Sequence, residues 1–140
     1  MWPQDFSARL ASWHRLRENS RTRPVPQVLH EINAWWFAAP WSSYYLHWDD
    51  RDSWPDPWQL LSDNIFCEVA RGLGMLYTIC MLERPEITDA ELVETPSGTL
   101  LRVQGSKYIL NWHRDTVVNI SPESDAVRHT LHQKILKHKL

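Results

Sequence analysis

NIFCEVARGLGMLYTICML, Asn64 to Leu82, is the longest stretch of the chain with a single unbroken pattern. Phe66, Val69, Ala70, Leu73, Leu76, Tyr77 and Cys80 recur at i, i+3, i+4 spacing, so the segment is predicted to be one helix, apolar enough to be the central one. Gly72 and Gly74 each cost a helix interior about 1 kcal/mol relative to Ala. A helix that keeps both is expected to let another element approach its backbone closely.

On the N-terminal side, Phe6, Leu10, Trp13 and Leu16 form one apolar stripe, which predicts an amphipathic helix over Asp5 to Arg17. The polar run Glu18 to Pro24 reads as a connector, and a second helix is expected from Pro26 to Ala39, with Val28, Leu29, Ile32, Trp35 and Trp36 buried. Residues 41–63 form a Trp- and Pro-rich connector. Within it, alternation around Tyr44, Leu46 and Trp48 predicts a short extended stretch, and Asp56 is placed to cap a helical turn at "PWQLL".

On the C-terminal side, segments of alternation separated by "TPSG" and "QGS" predict antiparallel strands near 91–95, 99–104 and 107–113, with a fourth at 116–120. "SPESDAVRHTLHQKILKHKL" opens like a helix N-terminus and places Val127, Leu131 and Ile135 on one helical face, so residues 121–140 are expected to be a terminal helix with a basic tail. The whole chain is then a single α+β domain: a helical part over 1–40, the connector, the central helix over 64–82, an antiparallel sheet of three or four strands over 86–120, and the C-terminal helix.

With 43% hydrophobic and 23% charged residues, the composition is that of a globular chain. Nine tryptophans are too many for a core of this size to absorb easily, and a partner surface is the expected use of the surplus. A net charge of −2 gives no global pull towards nucleic acid, which is not an expected partner. Cys67 and Cys80 lie about 20 Å apart along one predicted helix, beyond disulfide reach, and suit a reducing compartment. "MWPQDFSARL" lacks the pattern of a secretory signal, and no apolar run reaches membrane-span length. The expected location is a cytoplasm or a particle assembled there. No cofactor is expected, since glycine-rich phosphate loop, GxSxG, HExxH and CxxC patterns are all missing from the sequence.

Trp54, Pro57, Leu60 and Leu61 lead up to Cys67, "EVARGLGMLYTI" follows it, and strands come next. In this order the region Asp52 to Ile120 resembles transglutaminase-like proteins of the papain-like cysteine-enzyme class. The resemblance implies a helix N-terminus that activates the thiol, and a strand-borne His base oriented by an Asp or Asn. The corresponding strand here, "TLLRVQ", has no histidine; the candidates that follow are His113 and Asp115 in "NWHRDT". The Trp-Pro-Asp-Pro-Trp approach together with the Cys67 segment also resembles small tailed-bacteriophage proteins, which implies a virion component, of tail or baseplate, in the virion or in the host cytoplasm before assembly.

Asp49, Asp50, Asp52 and Asp56 resemble a cation loop but lack its glycine and terminal Glu, so a solvated turn is the expected reading. His129 and His132 have the helical spacing of a zinc pair, with His138 two turns on, but no cysteine or carboxylate completes the set. The leading expectation is a non-enzymatic structural or assembly protein that binds other subunits, including copies of itself, through Trp35, Trp41, Trp48, Trp54 and Trp58. The alternatives are a cysteine hydrolase or acyltransferase using Cys67, His113 and Asp115, and a small phage protein that binds a host target.

Overall fold

The computed structural model describes residues 2–96, 98–118 and 127–136. The first helix, α1 (Phe6–Ser20), is capped by Asp5, whose carboxylate accepts from Ala8 N at 2.7 Å. Its buried stripe is Arg9, Trp13, Leu16 and Ser20, rotated from the expected one. Arg9 turns inward because its Nε donates to Leu61 O at 2.8 Å and its terminal nitrogen to Gln4 O at 2.9 Å, satisfying carbonyls that would otherwise be stranded. Helix α2 (Val25–Phe37) carries Pro26 in its first turn and buries Val28, Leu29, Ile32, Asn33 and Trp36, while Trp35 stays half-buried.

The expected extended stretch at 44–48 does not form. The segment is irregular, anchored by a bridge between Trp41 and Phe66, and passes into a 3-10 helix at Trp48–Ser53. Asp56 does cap a short helix, α3 (Pro57–Asp63), accepting from Gln59 N at 2.8 Å.

The central helix starts later than its periodicity suggests. Asn64 takes a left-handed conformation (φ 55°) that ends α3, and Phe66 is committed to the bridge, so α4 spans Glu68–Leu82 with Cys67 as its N-cap. Eleven of its residues are buried, because α1, α2 and α3 pack on one side of it and the sheet on the other. Its two glycines admit side chains rather than backbone. A Cβ at Gly74 would stand 2.5 Å from the Trp36 ring, and one at Gly72 would stand 2.7 Å from Leu92 Cδ1. Between the N-terminal helices and α4, Thr78 Oγ1 accepts from Trp13 Nε1 at 2.9 Å and Trp36 Nε1 at 3.0 Å while donating to Gly74 O at 2.8 Å.

Five antiparallel strands follow: β1 (Glu91–Thr95), β2 (Gly98–Val103), β3 (Tyr108–His113), β4 (Thr116–Val118) and β5 (His129–His132), in spatial order β4-β3-β2-β1-β5. Leu92 pairs with Leu101 and Leu131, and Leu101 with Leu110, giving one apolar row against α4. The fifth strand corrects the expected C-terminal helix: residues 129–132 pair with β1, and within the expected 121–140 helix only α5 (Gln133–Leu136) is helical among the described residues. Residues 119–126 and 137–140, which include the end of the expected fourth strand and the basic tail, lie outside the described residues. Asn111 adopts φ 65° within β3, where the pairing with β4 slips. This turns its amide to α4 and β2, donating to Glu68 O and Thr99 O, both at 2.9 Å. Among the described residues no helix is long and apolar enough to cross a membrane.

Candidate functional site

The start of α4 meets two remote segments. On one side runs 41–46, on the other the β1–β2 hairpin, and together they enclose a cavity of about 250 Å³ lined by Trp41, Tyr44, Cys67, Glu68, Glu94 and Thr99, among others. The 41–47 lip is braced at several points. Ser42 N donates to Phe66 O at 2.8 Å, Tyr45 Oη to Asp63 Oδ2 at 2.6 Å, and Trp54 Nε1 to His47 O at 2.8 Å. Burial, reinforced by the bond to Asp63, pushes the Tyr45 hydroxyl above its ordinary pKa. With its backbone held, the lip leaves Trp41 60% and Tyr44 67% exposed at the cavity mouth.

Cys67 sits in the cavity wall, almost fully buried. Its Sγ accepts from Ala70 N at 3.5 Å, as an N-cap, and from Leu46 N at 3.4 Å, tying the lip to the helix. Neither Cys67 nor Cys80 is disulfide-bonded. The Glu68 carboxylate lies against Gly98 and accepts from Thr99 N, which joins the helix start to the hairpin; Gly98, at φ 135°, is where no side chain would fit.

His113 and Asp115 are brought together with each other but are not among the hydrogen-bond partners of Cys67. They form the β3–β4 turn, where His113 is exposed and its Nδ1 accepts from Asp115 N at 3.1 Å, a bond to backbone and not to carboxylate. The imidazole that meets a cavity carboxylate, from outside the lining, is His129, on β5. Its Nδ1 lies 2.8 Å from Glu94 Oε1, its Nε2 3.7 Å from Asp49 Oδ1, and its ring stacks on Trp48 at 5.6 Å. Sequence reasoning passed over Glu68, Glu94 and the role of His129, because periodicity put His129 on a helix and gave no reason to pair it with a strand carboxylate.

The tryptophans expected at an interface divide. Trp48 and Trp54 are core residues: the first donates to Thr99 Oγ1 at 3.2 Å and packs edge-on against the second. Trp35 donates to Ser12 Oγ at 2.9 Å and packs on Trp2, half-buried. Trp41 and Trp58 are exposed, Trp58 with its ring edge-on to Trp13.

His129 and His132 lie in a strand at odd spacing and so face opposite sides, His132 towards Asp89, which removes the helical zinc geometry. The acidic loop is divided among local duties: Asp50 accepts from Ser53 Oγ, Asp56 caps α3, and Asp49 faces His129. Among the described residues no group of three or more His, Cys, Asp or Glu is arranged to hold a metal ion. Arg71, beside the cavity, donates to Asn111 Oδ1 at 2.6 Å and stacks 3.9 Å over Phe37, with Trp41 at 5.3 Å; burial lowers its pKa.

No family model, curated protein or solved structure matches this chain.

Proposed function

We propose that the chain is a non-enzymatic structural or assembly component that docks a partner protein at the cavity beside α4. The observation that carries this reading is the exposure of Trp41 and Tyr44 on a braced lip at the mouth of that cavity. Large aromatic side chains held in advance supply contact area at little cost in conformational entropy, which is how interface anchors work. The polar groups beside them support a binding role over a catalytic one, since the thiol is engaged by two backbone N–H groups and both nitrogens of His129 face carboxylates. A tailed-bacteriophage particle as the setting rests on the sequence resemblance alone. A photo-crosslinking residue placed at Tyr44 tests the docking site in cells or particles that contain the chain, with the same residue at Arg15, on the exposed face of α1, as control. One discrete adduct from position 44 and none from position 15 is the expected result. No adduct, or the same adduct from both positions, would remove the reading.

One observation favours a cysteine hydrolase or acyltransferase instead: Cys67 lies at the N-terminus of α4 and lines the cavity. In that case iodoacetamide would label native Cys67 rapidly and stoichiometrically. The docking reading expects slow labelling of native protein that becomes complete only on unfolding.

A further inference from the structure

We infer that the side chain entering this cavity is the lysine or arginine of a partner protein. The inference rests on the docking reading above and adds the chemistry of the occupant. Among the described residues that line the cavity, the acidic side chains are two carboxylates, Glu68 and Glu94, beside the Cys67 thiol and the Tyr44 phenol, and no Lys, Arg or His lines it. Trp41 and Tyr44 stand over the same space with their rings exposed. A ring face attracts a cation through its quadrupole and a carboxylate through charge, so a mouth of two aromatics over a wall of two carboxylates is complementary to an ammonium or guanidinium on an apolar stem. The floor suits the stem, because Leu46 and Val69 line it beside the buried thiol.

Two basic side chains stand next to the cavity but outside its lining. Arg71 donates to Asn111, stacks over Phe37 and lies 5.3 Å from the Trp41 ring, and His129 meets Glu94 at 2.8 Å, so the space between the Trp41 and Tyr44 rings and the Glu68 and Glu94 side chains holds no basic group of its own among the described residues. Two other cavities among the described residues lack the combination. The hollow beside Cys80 mixes Glu83 and Asp89 with Arg84, His132 and Lys134 and has no aromatic residue in its wall, while the hollow beside Trp35 contains one carboxylate, Glu31, that already holds Arg23 at 2.7 Å.

The test uses the full chain labelled for NMR and four blocked amino acids as probes. Nα-acetyl-arginine amide and Nα-acetyl-lysine amide supply the charge; the citrulline and norleucine counterparts supply the same stems without it. The charged probes are expected to shift the Trp41 indole and the Thr99 amide saturably, about fivefold more tightly than their neutral counterparts. That preference should shrink in high salt. Trp41→Ala and Glu94→Gln should each lower the affinity by a similar factor while leaving the rest of the spectrum in place. Equal binding of charged and neutral probes, or no saturable shift at these residues, would overturn the inference. The crosslink at position 44 does not depend on which side chain enters. A discrete adduct together with indifferent probes would therefore sink the basic occupant alone, and a missing adduct would sink the docking reading itself.

Discussion

Replacing Thr78 by Val removes a single oxygen and leaves the side-chain shape nearly unchanged, yet it undoes the junction between α1, α2 and α4. That oxygen accepts from the indoles of Trp13 and Trp36, and both rings are wholly buried. Neither N–H has another acceptor in these bonds, and water does not reach a fully buried ring. Each donor left unsatisfied costs about 1–3 kcal/mol. The added buried methyl returns about 0.8 kcal/mol. The expected net loss is about 1–5 kcal/mol, a large part of the ~5–15 kcal/mol that holds a domain of this kind together. Thr78→Ser separates the hydroxyl from the shape, because it keeps the oxygen and loses a methyl group, for about 1 kcal/mol. Urea denaturation of the three proteins, followed by near-ultraviolet circular dichroism, should give midpoints in the order wild type, Thr78→Ser, Thr78→Val at a common slope. A Thr78→Val protein as stable as Thr78→Ser would refute the role given to the hydroxyl.

Three further outcomes follow from the same geometry. Gly74→Ala should destabilise despite the better helix propensity of alanine, because the new Cβ meets the immobile Trp36 ring, at a cost of about 1–3 kcal/mol against about 1 kcal/mol gained. Gly72→Ala should destabilise as well, since its Cβ meets Leu92 Cδ1 at 2.7 Å and the hydrogen-bonded Asn111 amide at 2.9 Å; urea midpoints of both variants against wild type check it. Tyr45 and Tyr77 have pKa values raised above the ordinary tyrosine value, chiefly by burial and then by Asp63 and Asp56 respectively. Stability should therefore be unaffected by these groups below about pH 10 and fall as pH rises beyond it, where the unfolded chain releases protons that the folded chain retains. Tyrosinate absorbance should show Tyr45 and Tyr77 ionising only as the fold is lost, and Tyr77→Phe should reduce the delayed amplitude. Trp41→Ala should change the unfolding free energy by no more than about 0.5 kcal/mol, as for an ordinary surface substitution. A loss several times larger in the same denaturation assay would make Trp41 a structural residue and undercut its role at the cavity.

Much of the fold was legible because its signals are local. The i, i+3, i+4 repeat ran to the true end of α4 at Leu82, the turn signals separated β1, β2 and β3 within a residue or two, and Asp56 capped α3 as its position before proline suggested. What failed was decided at long range. Val127, Leu131 and Ile135 are spaced for a helix, but Leu131 completes the apolar row across Leu92, and Arg51 donates to Thr130 O at 2.8 Å from the far side. Pairing with an existing strand edge overrode a weak local preference. At the other end of α4, the expected helix began at Asn64, ahead of the observed start at Glu68, because Phe66 fits the same apolar repeat. The break is a backbone event at a residue type that tolerates the left-handed region. The cavity itself was illegible for a related reason: its described wall comes from 41–46, 67–69, 94–95 and 98–99, and no periodicity relates those segments.

The abundance of tryptophan takes on a different meaning once each indole nitrogen is followed to its acceptor. Trp2 donates to Asn64, Trp13 and Trp36 to Thr78, Trp35 to Ser12, Trp48 to Thr99 and Trp54 to His47 O. Most of these bonds join elements far apart in sequence, so six of the nine rings act as struts that fill volume and fix orientation at once. A small core gains specificity from such directed contacts, and this accounts for the number of these rings without invoking a partner. It also narrows the search for one. The strutted rings cannot be offered to another molecule without dismantling the fold, which leaves Trp41, Trp58 and Trp112 exposed. Of these, Trp41 alone lines the cavity beside Cys67, with two carboxylates in the wall. The surplus that first suggested a broad sticky surface therefore reduces to one ring at one cavity.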